Sequence, residues 1–159
     1  MGAFYRKLAR RSATSAAMSF TYDDKNVFAK ILRGEAPCAR IYEDEVALAF
    51  MDIMPRTPGH AVVIPKFAAR NLLDIPPAEL ARFIPVVQKV AIAAKAAMGA
   101  EGVAIMQFSE AASGQTVFHL HFHILPHWAD TPLKPPGGPI EKSEVLAAHA
   151  AKIAAALAP

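Results

Sequence analysis

A chain of 159 residues can bury one sizeable core and gives little support to a second domain. Hydrophobic residues make up 53% of it, yet no run nears the roughly 20 unbroken apolar positions of a membrane span, so a soluble protein with no membrane partner is expected. The formal charge of +3 sits in Arg6, Lys7, Arg10 and Arg11; the rest balances 13 basic against 14 acidic residues, which argues against nucleic acid as a partner and leaves any phosphate to a local site.

Residues 1–17 hold those four cations and no acid, the first acidic residue being Asp23. Such an arginine-rich, serine-bearing stretch resembles a transit peptide in composition. A disordered extension, or a start assigned upstream of Met18-Ser19, is the simpler account, so one domain is expected over 18–159. From Asn26 to Arg33, apolar side chains at Val27, Phe28, Ile31 and Leu32 share one helical face, with an Asp/Asn start and Gly34 as the stop. The single cysteine, Cys38, excludes an internal disulfide or a cysteine-rich metal site and suits a reducing cytoplasm. Two strands are predicted over Ala39–Tyr42 and Val46–Met51, around the acidic turn Glu43-Asp44-Glu45. Pro55, Pro58 and Gly59 make a loop, and His60–Ile64 reads as a short strand stopped by Pro65.

The longest helix is predicted to open at Pro76-Pro77, where a missing N–H costs nothing, and to run from Ala78 to Met98 before Gly99. Val103–Phe108 and Val117–Leu125 read as strands, with the small, polar Ser109–Gln115 between them. Five prolines and two glycines make Pro126–Pro139 loop or extended chain. An alanine-rich helix over Ser143–Leu157 ends the chain.

The chemistry concentrates in His119-Leu120-His121-Phe122-His123. On a strand the three histidines share one face, and each buried ring brings two nitrogens that need partners. That pattern points to acid–base, nucleophilic or metal chemistry rather than core filling. Three ligands for one ion are disfavoured, because the outer pair would lie roughly 13 Å apart by strand rise. Two of them could still join a distant ligand such as His60. Ser113-Gly114-Gln115-Thr116, immediately upstream, offers a flexible turn whose N–H groups suit an anion.

The segment Gly114 to Pro126 resembles the signature of the histidine triad family of nucleotide hydrolases and transferases, His-φ-His-φ-His-φ-φ with φ apolar. Further matches are Ala49-Phe50-Met51-Asp52-Ile53 with Pro58 to Lys66, and Val27 to Ile31 with Gly34, Glu35 and Pro37. Together they cover about residues 24–126 in the family's order.

The resemblance implies an α+β fold: an antiparallel sheet of about five strands, one long helix and a short N-terminal helix. It also implies a homodimer built on the long helix and the Val103–Phe108 strand. His121 would attack the α-phosphorus of a purine nucleoside phosphoramidate or a related AMP-like nucleotidyl substrate, giving a nucleotidyl-histidine that water hydrolyses, with no cofactor. His123 and His60 would hold phosphate oxygens, His119 would orient, and Gln115 with the backbone around Gly114 and Thr116 would steady charge. The Thr116 hydroxyl could pass a proton to a leaving amine, as in the phosphoramidase branch. Asp52 would accept ribose hydroxyls, and Val27, Phe28, Ile31, Phe50 and Ile53 would hold the base, although apolar residues on a helix and strand are ordinarily core. Two departures stand out. Phe108-Ser109-Glu110 replaces a frequent Asn-x-Gly, and Pro126-His127 a frequent Pro-Arg. No cysteine pattern accompanies Cys38, so no structural metal is expected. A dinucleoside polyphosphate hydrolase and a non-catalytic nucleotide-binding scaffold are the alternative readings.

Overall fold

The computed structural model describes residues 21–157; the basic segment 1–17 and Met18-Ser19 lie outside the described residues. Helix α1 spans Val27–Leu32, and the Asn26 side chain accepts the Ala29 N–H at 2.9 Å, satisfying one of the donors a helix start leaves unpaired. Strands β1 (Arg40–Glu43) and β2 (Ala47–Met51) form a hairpin whose turn is held by Asp44, a carboxylate accepting the N–H groups of Val46 and Ala47.

β2 and β3 (Ala61–Pro65) are buried along their whole length, because both sheet faces are covered. Alternation divides their side chains. Ala47, Ala49, Met51, Ala61 and Val63 meet the helices α2 (Pro77–Met98) and α3 (Ser143–Leu157) on one face. Leu48, Phe50, Val62 and Ile64 meet Ile31 and Phe28 of α1 on the other. Phe83 of α2 is fully buried in the first cluster, a burial worth about 1.5–3 kcal/mol for a side chain of that kind. Leu146, Ala150 and Ile153 are the buried stripe of α3. Gly99 ends α2 in the left-handed conformation expected of a glycine cap.

β4 (Gly102–Met106) and β5 (Phe122–His127) complete an all-antiparallel sheet of order β1-β2-β3-β5-β4. This is the α+β architecture expected from the sequence. No helix of the described residues is long and apolar enough to cross a membrane.

One expected strand is corrected. Val117–Leu125 is strand only from Phe122 onward, so His119 and His121 lie on irregular chain. The ladder runs out on both sides: β4 ends at Met106, opposite His123, and β3 ends at Pro65, which has no N–H to give. The Leu120 N–H turns instead to the Ala69 carbonyl at 2.8 Å. Alternation nevertheless survives, since Leu120 and Ile124 enter the helix-side core and Phe122 packs on Phe83.

Candidate active site

Four imidazoles and a carboxylate converge where β5, the irregular chain before it and the loop before β3 meet. His60 ends that loop. Gly59 has φ of 78°, and a Cβ there would lie 2.5 Å from Cγ of Met98, so the loop needs a glycine to bring His60 in. The Thr57 hydroxyl donates to the Pro126 carbonyl at 2.9 Å and ties the same loop to β5.

Hydrogen bonding assigns the proton on each ring. Nδ1 of His121 is 2.7 Å from the His119 carbonyl, which can only accept, so Nδ1 carries the proton and Nε2 keeps its lone pair. The Arg56 backbone N–H donates to Nδ1 of His60 at 3.2 Å, placing that ring's proton on Nε2. His60 Nε2–H then donates to Nδ1 of His123 at 2.9 Å, which leaves the His123 proton on its own Nε2. Nε2–H of His119 donates to the Pro65 carbonyl at 2.9 Å, and its Nδ1 accepts from the Tyr22 hydroxyl at 2.5 Å. Two separate relays thus present a bare nitrogen on His121 beside an N–H on His123, their ring centroids 5.0 Å apart.

The rings are also neutral. Burial pushes His123 down to about 3, helped by the neighbouring His121, His60 and Arg56. Burial likewise takes His119 down to about 4, against the bond to the Pro65 carbonyl. His60 and His121 are lowered by the same cause, partly opposed by Asp52. Near pH 7 none of the four carries a proton to spare.

Two cavities meet at this cluster, sharing Asp52, Met54, Thr116, His121 and His123. The first, about 240 Å³, is walled by Val27, Phe28, Ile31, Phe50, Ile53 and Val62. Ile31 and Phe50 are buried behind it, while Val27 and Ile53 are 45% and 49% exposed; apolar residues left open on a concave wall are not ordinary core. Phe28 stands edge-on to His121, ring centroids 5.1 Å apart. The second cavity, about 360 Å³, is walled by Arg56, His60, Met106, Phe108, Ser113, Gly114, Leu125, Pro136 and Gly137. Asp52 sits between the two, with one carboxylate oxygen taking the Met54 N–H at 2.8 Å and the other 3.5 Å from Nε2 of His60.

Asp52, His60 and His123 are also the group, among the described residues, whose donor atoms fall within 4.8 Å of one another. The shared His60–His123 proton occupies the place an ion would take, so a cation would have to displace it.

Gln115 requires a correction. Its side chain is 3% exposed and makes four bonds, two within its own loop and two to the segment before α2: it donates to the carbonyls of Arg70 and Val117 and accepts from Glu110 N–H and the Asn71 amide. Nothing is left to reach a phosphate. The N–H groups of Gly114 and Gln115 are likewise spent on the Ala111 and Glu110 carbonyls. Gly114 lines the second cavity and Gln115 neither, whereas Thr116 lines both. His127 lines neither; its Nε2 is buried without a partner among the described residues, and the Trp128 indole donates to the Gly99 carbonyl. His149 lies on α3, away from both cavities.

Residues 33–129, more than half of the chain, match the HIT domain. The chain belongs to the HIT family. It is 38% identical over 100 residues to an adenosine 5'-monophosphoramidase of Schizosaccharomyces pombe, covering 63% of this chain and 72% of that one. It is 35% identical over 122 residues to an adenylylsulfatase of Arabidopsis thaliana, covering 73% of this chain and 62% of that one. Among solved structures, a HIT-like protein of Bartonella henselae superposes with a TM-score of 0.80 at 51% identity, over 86% of this chain and 99% of that one.

The departure at Glu110 now has a physical account. Glu110 keeps a φ of 72° with ψ of 158°, a backbone region that favours glycine. Its carboxylate compensates by gripping the Arg70 guanidinium through two bonds of 2.9 Å and the Asn71 amide at 2.7 Å. Arg70 in turn lies over the Phe118 ring, 4.0 Å from its centre. Sequence reasoning missed Arg70, Asn71 and Tyr22 as supports of this site. Tyr22 meets His119 across 97 positions, and no local pattern announces such a pair.

Proposed function

We propose that this HIT protein hydrolyses nucleotidyl bonds at the α-phosphorus of an AMP-like purine nucleotide, with His121 as nucleophile. The observation that carries this reading is the His121 Nδ1–H bond to the His119 carbonyl, which leaves Nε2 unprotonated at the junction of two cavities. A neutral imidazole held in one tautomer is a nucleophile without prior deprotonation.

The smaller cavity takes the nucleoside, its base between the apolar walls and its ribose hydroxyls donating to Asp52. The phosphate lies over His121, with the His123 Nε2–H donating to a non-bridging oxygen. Nε2 of His121 bonds to phosphorus as the bond to the leaving group breaks, and the electron pair departs with that group; a departing amine takes up a proton relayed from solvent through the Thr116 hydroxyl, which lines both cavities. The imidazolium so formed is stabilised through Nδ1–H by the His119 carbonyl. Water then attacks phosphorus, the P–N bond breaks back to Nε2, and AMP leaves with the water's proton released to solvent. His60 fixes His123, and Tyr22 with Pro65 fixes His119. The S. pombe and A. thaliana relatives, named for action on adenylyl compounds, support the substrate class.

His121→Asn and His121→Ala test the reading. Both should abolish turnover of adenosine 5'-phosphoramidate while AMP affinity persists. Turnover surviving either substitution removes its basis.

The assembly is a homodimer in this reading. β4 is an edge strand, and Ile105 upon it joins Ile84 and Ile92 of α2 as exposed apolar residues around one groove. The expected location is the cytoplasm, in keeping with the one cysteine, Cys38.

A further inference from the structure

The larger cavity carries one feature the nucleotide reading does not use. Arg56 lines it and is half-buried, and its guanidinium forms no ion pair among the described residues. Its Nε donates to the Lys134 carbonyl at 2.8 Å, and one terminal nitrogen rests 3.8 Å from the Met106 sulfur. The backbone repeats the tie, because Lys134 N–H donates to the Arg56 carbonyl at 2.8 Å, and Glu141 N–H to the Ile53 carbonyl at the same distance. The segment carrying Pro136 and Gly137 is thereby stapled over the cavity, and the staple fixes the guanidinium's position. Around that charge stand Met54, Met106, Phe108, Leu125 and Pro136, apolar walls that weaken screening by water. The carboxylate among the lining residues, Asp52, is turned toward Met54 N–H and His60 instead.

A fixed, unpaired cation in a largely apolar cavity recognises an anion. We propose that Arg56 makes the larger cavity a leaving-group site for oxyanions, so that this protein prefers nucleotidyl P–O bonds whose departing group is a sulfate, phosphate or carboxylate. The inference rests on attack by His121 and deepens that reading. Cleaving such a bond places the electron pair on an oxygen that needs no proton, and the guanidinium neutralises the charge as it develops. Cleaving a P–N bond requires a proton on the departing nitrogen. For that, the lining offers the hydroxyls of Ser113 and Thr116 and imidazoles that are neutral near pH 7.

The test compares the full chain with Arg56→Gln and Arg56→Lys, measuring kcat/KM for adenylyl sulfate, acetyl adenylate and adenosine 5'-phosphoramidate. In Arg56→Gln the ratio of each oxyanion substrate to the phosphoramidate should fall about tenfold or more, the scale of one lost bond to a charged group. Arg56→Lys should recover part of that ratio. A fall for adenylyl sulfate alone marks the sulfate as the recognised source, and a fall for both supports the oxyanion class. A ratio unchanged in both variants overturns the proposal, including the case where all three rates drop together, because that outcome leaves Arg56 only its staple. Wild-type enzyme quenched under conditions that preserve P–N bonds separates this failure from a deeper one: an AMP adduct on His121 with an unchanged ratio sinks Arg56 alone, while no adduct with any substrate sinks the nucleophile.

Discussion

Lowering the pH from 7.5 to 5 should destabilise this protein well before its carboxylates titrate. His119 and His123 are held down to about 4 and about 3 in the folded chain, whereas unfolding returns each to the ordinary value near 6.5. A folded state that binds fewer protons than the unfolded state loses stability as pH falls, starting at the unfolded pKa and continuing down to the folded one. At pH 5 each ring lies about 1.5 units into that window, a loss of about 2 kcal/mol per ring and about 4 kcal/mol for the two. Both rings are largely buried, so solvent screening removes little of this. His60 and His121 are lowered in the same direction and add to it. Urea unfolding at pH 7.5, 6.5, 6 and 5 reads the effect directly, since stability is the midpoint multiplied by a slope that should stay constant. Stability should be nearly flat between pH 7.5 and 6.5 and then fall. A change below about 1 kcal/mol by pH 5 would mean that the rings accept protons freely, and the tautomer relays would have no foundation.

Tyr22→Phe removes the hydroxyl that donates to Nδ1 of His119, leaving a buried acceptor unpaired at a cost of about 1–3 kcal/mol. The urea midpoint should drop, and kcat should fall more than KM rises; wild-type stability and kcat together would show that His119 needs no such support. Ile92→Glu places a charge on the most exposed apolar side chain of the α2–β4 groove, at 64% exposure, where a monomer loses little. Sedimentation should find wild type at twice the monomer mass and the variant at the monomer mass, and a monomeric wild type would remove the dimer.

The last helix and the central strands were legible for different reasons. Ser143–Leu157 follows from a residue that suits a helix start, an alanine-rich body and a regular apolar stripe, all of which lie within the helix itself. β2 and β3 follow from short apolar runs between turn residues. The start of β5 was not legible, because whether Val117–His121 is strand depends on Pro65 and on where β4 stops, facts of partner geometry rather than of local composition. The site divides the same way. Alternation put the three histidines on one face, and the residues matched by spacing, Asp52 and the apolar wall, line one cavity. Gln115 was misread because an amide beside glycine suits a phosphate turn equally well as a loop brace, and only Arg70, Asn71 and Glu110, 39 to 45 positions across the fold in the bonds that join them, decide the matter. Arg56 gave no signal until its staple to Lys134, 78 positions away, set it in the second cavity.

The nucleophile itself is open to direct observation. Rapid mixing of the enzyme with adenylyl sulfate or adenosine 5'-phosphoramidate, a millisecond quench that preserves P–N bonds, and peptide mass spectrometry should find an AMP adduct on the peptide carrying His121, at Nε2. An adduct on His119, on His123 or on no residue at all while AMP accumulates would contradict the account.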